Sequence, residues 1–109
     1  MIEPRNGQED SFGDGQTATI EKTKTKPPKK YKVLLHNDDY TTMEFVIFIL
    51  QSVFHKNIDE AEKIMMEVHQ NGIGVCGVYT YEIAESKAMK VKSLAKTHSH
   101  PLECSIEPE

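Results

Sequence analysis

A chain of 109 residues, 38% apolar and 28% charged, is sized for one domain around one hydrophobic core, which excludes a multidomain enzyme. Its formal charge of -4 gives no general basis for nucleic-acid binding, which rests on clustered Lys and Arg neutralising phosphates. The longest uninterrupted apolar run, Phe45 to Leu50, is far too short to span a bilayer. The opening residues, MIEPRNGQED, hold no apolar stretch suited to a secretory signal, so residence in the cytoplasm is expected, with Cys76 and Cys104 as reduced thiols.

Residues 1–30 carry six Lys or Arg, five Asp or Glu and only scattered apolar side chains, with the one basic cluster at Lys22 to Lys30. Such a segment buries too little surface to offset its ordering entropy and is expected to be a flexible extension. Residues 31–109 are expected to form the folded domain.

Tyr31 to Leu35 reads as a short strand, closed by the turn-forming residues Asn37, Asp38 and Asp39. Thr41-Thr-Met-Glu44 has the form of a capping box, in which the Thr41 hydroxyl accepts from the Glu44 amide and the Glu44 carboxylate reaches back. A helix is predicted behind it, with Val46, Ile49, Leu50 and Val53 inward and Phe45, Ile47 and Phe48 widening the stripe. The β-branched content of that run also suits a strand, but the cap and the length favour a helix. Asn57-Ile-Asp-Glu60 offers a second cap. Ala61, Ile64, Met65 and Val68 line one face behind it, and Gly72 ends the helix through the left-handed conformation glycine tolerates. Val75 to Thr80 is strand-like. A third helix opens at Thr80 or Tyr81, buries Ala84, Ala88, Val91, Leu94 and Ala95, and stops at His100-Pro101. Leu102 to Ile106 alternates as a half-buried strand does. The order β-α-α-β-α-β predicts an α+β domain: three helices packed on one face of a small three-stranded antiparallel sheet.

Gly72-Ile-Gly-Val-Cys-Gly77 matches the glycine spacing of a dinucleotide-binding turn. The phosphate of that motif sits on the N-terminus of a following helix, however, and here a helix precedes and a strand follows. The glycines are expected instead to cap the helix and admit a tight approach to the strand. His69, Cys76, His98, His100 and Cys104 lack the paired spacing that puts two metal ligands on one local face, so no metal site is expected. Cys76 with His69 is the one pairing that suits a thiol- or metal-dependent enzyme. A cysteine between Val75 and Gly77 in a strand, though, is more often an inert buried side chain.

A carboxylate and a carboxamide at a helix entrance, with Met43 and Val46 one turn along, make a polar rim beside an apolar surface. Asp supplies charge, Asn an acceptor carbonyl and neutral His a lone pair. A peptide's α-amino group, largely protonated near neutral pH and carrying three donors, fits such a rim.

Asn37-Asp-Asp-Tyr-Thr41 with Met43-Glu-Phe-Val46, Val68-His69-x-x-Gly72, Cys76-Gly-Val78, Ala84-Glu85-x-Lys87 and His100-Pro-Leu102 together resemble the ClpS family, the adaptors that deliver N-degron substrates to Clp AAA+ proteases. The resemblance runs from Tyr31 to Glu107. It implies a non-enzymatic adaptor that needs no cofactor and acts as a monomer, capturing proteins with an N-terminal Leu, Phe, Tyr or Trp. Asn37, Asp39 and His69 would hold the substrate's α-amino group and Asp38 would support its backbone. Met43, Val46, Met65, Val68 and Leu102 would line or gate the side-chain pocket, Met43 restricting β-branched residues. Glu82 and Lys87 would face the N-terminal domain of a ClpA-like or ClpC-like unfoldase, and the extension would engage the unfoldase during handover. Where the family has proline, this chain has Thr42. A structural regulator of the unfoldase with a vestigial pocket is a third reading.

Overall fold

The computed structural model describes residues 26–109, so most of the extension expected over residues 1–30 lies outside the described residues. The chain runs β1 (Lys30–His36), α1 (Met43–Ser52), α2 (Ile58–Asn71), β2 (Ile73–Thr80), α3 (Tyr81–Thr97) and β3 (Glu103–Pro108). This is the expected element order. β1 is the central strand, paired antiparallel to β2 on one side and β3 on the other.

Alternation along β1 decides which face the helices cover. Val33 and Leu35 point into the core with Ile49, Leu50, Val68 and Val91, all but closed to solvent. Leu34 turns to the opposite face, beside its cross-strand neighbours Val75 and Ser105. The register of β1 against β2 shifts between Val33 and Leu34 and leaves Cys76 as the extra residue of a β-bulge.

Two helix ends follow the sequence closely. The Asn57 side chain accepts from the Glu60 amide at 2.8 Å, and Gly72 closes α2 with φ 85 while its amide donates to the Val68 carbonyl. A third end differs from expectation. The cap of α1 is Thr42, whose hydroxyl oxygen accepts from the Phe45 amide at 3.1 Å. Thr41 is drawn away from capping because its amide and its hydroxyl both donate to the Asp38 carboxylate, the hydroxyl at 2.6 Å. A charged acceptor makes the shorter and stronger bond and wins the competition. At Thr42 the backbone φ of -74 would admit the proline that the resemblance puts there. What threonine adds is the acceptor oxygen.

Strand limits also move. β2 begins at Ile73 because Ile73 pairs with His36, and β3 begins at Glu103, just after the buried Leu102. α3 ends at Thr97, short of His100-Pro101. His98 forms its C-cap, and Ser99, at φ 60, reverses the chain.

Candidate functional site

The β1–α1 turn is built around one side chain. Asp38 Oδ1 accepts from the amides of Tyr40 and Thr41, both at 2.8 Å, while Oδ2 accepts from the Thr41 hydroxyl. Partial burial pushes the Asp38 carboxyl up, but the hydrogen bonds from Thr41 and Tyr40, helped by nearby His100, outweigh it and hold the group below its ordinary value. The turn is then tied to a second element: the Asn37 amide donates to the Gly72 carbonyl at 2.9 Å, at the end of α2. That bond brings the turn beside His69, in the last turn of α2.

Between these elements lies a cavity of about 210 Å³. The turn contributes Asn37, Asp38, Asp39 and Thr41, α1 contributes Met43 and Val46, and α2 contributes Met65, Val68 and His69. Polarity and depth vary together. Asn37, Asp39 and His69 are exposed at the rim, whereas Val46, Met65 and Val68 are 6%, 8% and 2% exposed. Met43 stands at the mouth, 43% exposed. Eight residues expected in the site therefore meet at one cavity. Thr41, the ninth, was missed because its hydroxyl had been assigned to capping; its real partner, Asp38, lies only three residues away.

Gly74 sets how closely β2 approaches α2. A Cβ on Gly74 would stand 2.7 Å from Val68 Cγ2, so only glycine lets Val68 keep its place in the cavity wall. Gly77 is confined in the same way by the Tyr79 ring.

The remaining expected residues lie elsewhere. Leu102 is buried in the same core cluster as Val46, Met65 and Val68 but borders a second depression, with Lys92, Glu103 and Cys104. Glu82 borders a third, with Pro28, Lys29, Tyr31, Thr80 and Tyr81. Lys87 is half-buried: its Nζ donates to the Val53 carbonyl at 2.8 Å, just past the end of α1, and lies over the rings of Tyr79 and Phe54.

Thiol chemistry finds little support here. Cys76 is 1% exposed, and burial, reinforced by Cys104, pushes its thiol far above the ordinary range. Burial also pushes Cys104 up to about 11. A nucleophile needs the thiolate, which such a setting withholds. Among the described residues no three His, Cys, Asp or Glu side chains converge as a metal ion would require, and no helix is long and apolar enough to cross a membrane.

Residues 26–105 match the family model described as "ATP-dependent Clp protease adaptor protein ClpS". The chain belongs to the ClpS family. The ClpS adapter protein of Parvibaculum lavamentivorans is 52% identical over 105 residues, covering 96% of each chain. That of Caulobacter vibrioides strain NA1000 is 47% identical over 109 residues, the full length of both. Among solved structures, Agrobacterium tumefaciens ClpS2 bound to L-phenylalaninamide superposes with a TM-score of 0.73 at 43% identity, covering 76% of this chain and all of that one. The chain is thus an adaptor of Clp proteases, as the motifs of its turn and second helix implied.

Proposed function

We propose that the 210 Å³ cavity captures the first residue of proteins that begin with Leu, Phe, Tyr or Trp, and that the adaptor hands them to a Clp AAA+ unfoldase without breaking any bond itself. The observation that carries this reading is the union of an acidic, hydrogen-bonding rim and an apolar floor in one cavity. A protonated α-amino group offers three donors and one charge. Asp39 supplies the counter-charge, Asn37 an acceptor carbonyl and His69 a ring lone pair. Asp38, with both carboxylate oxygens committed to its own turn, supports the bound backbone chiefly by holding that turn in shape. The substrate's first side chain then drops toward Val46, Met65 and Val68, and Met43 at the mouth narrows the path for branching at Cβ. L-phenylalaninamide, the ligand of Agrobacterium ClpS2, carries the same pairing of a free amine and an apolar side chain.

The partner in this reading is the N-terminal domain of a ClpA-like or ClpC-like unfoldase, met in the cytoplasm through the surface that carries Glu82 and Lys87. Lys87 is already anchored on the Val53 carbonyl, which fixes its position on that surface. The N-terminal extension takes part in handover. A peptide array varying only the first residue tests the reading: Phe, Tyr, Trp and Leu peptides should bind, and Val and Ile peptides should fail. Binding indifferent to the first residue would sink it.

A further inference from the structure

The helices cover one face of the sheet, and the opposite face has a pattern of its own. β2 brings Ile73, Val75 and Val78 to it, 40%, 40% and 38% exposed. Leu34 of β1 stands beside Val75 on that face, all but closed to solvent yet outside the core cluster. β3 brings Glu103 and Glu107, which pair with His36 and Lys32 of β1. The face therefore grades from an apolar column on β2 to an acidic one on β3. Contiguous exposed apolar side chains rimmed by charge mark a contact surface. Glu107 also keeps room for a second cation: its carboxylate stands 3.9 Å from Lys32 Nζ, and its side chain is 53% exposed.

The chain that leads into β1 passes close to this face. Pro28 and Lys29 border one depression with Thr80, Tyr81 and Glu82, at the end of β2, so the chain enters β1 from the β2 side. Upstream, the stretch Thr17-Ala-Thr-Ile-Glu-Lys-Thr-Lys24 places Ala18, Ile20, Lys22 and Lys24 at two-residue spacing. In an extended chain these four side chains share one side, apolar first and basic after. Thr17, Thr19 and Ile20 are β-branched and suit that conformation.

We propose that the segment Thr17 to Lys24 docks in extended form on the open face of the sheet, with Ile20 against Val75 and Ile73 and with Lys22 and Lys24 toward Glu107. Reach and order both fit. Six residues separate Ile20 from Lys26, the first described residue, and an extended chain spans roughly 20 Å over six residues. That equals the six steps from Lys30 to His36 along β1. Approached from the Thr80 end, the basic pair falls near the row of Val78, Lys32 and Glu107, and the apolar pair falls farther along, near Val75 and Ile73. A tether of a few residues sets an effective concentration on the order of mM, so a contact too weak to hold a separate chain holds this one. The docking stands independently of peptide capture at the cavity.

The test is NMR of the full-length chain labelled at its Ile and Val methyl groups. Nuclear Overhauser contacts should link the Ile20 methyls to those of Val75 and Ile73, and backbone order parameters over Ala18 to Lys22 should lie above the value of about 0.6 that marks a flexible chain. Ile20→Ser should abolish both and shift the Val75 and Ile73 methyls, leaving Val33 and Val91 of the core unmoved. Val75→Thr, which keeps the β-branch, should lower the same order parameters from the other side of the contact. Should Val75→Thr disturb the core methyls, Ile73→Thr serves as the second variant. Wild-type order parameters below about 0.6, no contact from Ile20 to the face, or order parameters unmoved in either variant overturn the proposal. Contacts seen only between differently labelled copies in a mixed sample would put a second chain on the face and overturn it as well.

Discussion

α1 and α2 begin with the same device and serve different ends. Thr42 and Asn57 both offer a side-chain oxygen to the amide three residues on, satisfying one of the donors that every helix N-terminus leaves unpaired. Before α2 the chain simply turns, through His55 at φ 57. Before α1 it is organised twice over, by Asp38 within the turn and by the Asn37–Gly72 bond to another element. A cap alone starts a helix; a cap preceded by a loop fastened to a neighbouring helix end makes a rim with a floor beneath it.

Replacing Asp38 is the strongest way to break this contrast. Asp38→Ala leaves the Tyr40 and Thr41 amides and the Thr41 hydroxyl without their acceptor. Losing bonds to a charged group of this kind costs about 1.5 to 3 kcal/mol, so calorimetry with a Phe-initial peptide should show affinity falling by roughly ten- to a hundredfold. An affinity within twofold of wild type would place the turn outside the site. Next in size is Gly74→Ala. The added methyl meets Val68, and overpacking of this sort costs about 1 to 3 kcal/mol. The thermal midpoint should fall, and affinity should fall with it because Val68 walls the cavity. Full affinity in the folded fraction would show that the wall can give.

Smaller and more diagnostic is the pair Thr42→Ala and Asn57→Ala. Each should cost about 1 kcal/mol of stability by denaturant unfolding, yet only Thr42→Ala should also weaken peptide binding. Equal binding losses would erase the distinction between the two helix starts. The pH effect is the smallest. Because the folded state holds the Asp38 carboxyl below 3.8, its contribution is complete above that value and disappears as pH falls through the lower folded value. The stability gap between wild type and Asp38→Asn should therefore be flat from pH 7 to pH 5 and shrink only in stronger acid.

These contrasts also mark what the sequence could convey. Helices, strands and their order were legible because apolar periodicity is local, and Asn57 and Gly72 were legible because a cap and a left-handed stop involve neighbouring residues. The start of α1 was displaced by one residue because two acceptors compete for Thr41, and spacing does not rank a carboxylate against a helix. Gly74 was legible as a tight approach but not as the spacer of Val68, which depends on how far β2 stands from α2. Lys87 donates to a carbonyl 34 residues away, and no local pattern announces that brace. The rim and the floor were named residue by residue from the family's motifs; that Thr41 joins them, and that Leu102 sits in the core bordering another depression, only the packing discloses.

The central claim is that the rim reads a free, charged amine while the floor reads the side chain. Isothermal titration with a Phe-initial peptide and its N-acetylated twin tests it most directly. Acetylation removes the charge and two donors and leaves the benzyl group untouched, so the account predicts that binding of the acetylated peptide is lost or weakened by more than about tenfold. Equal affinity for the two peptides would contradict it.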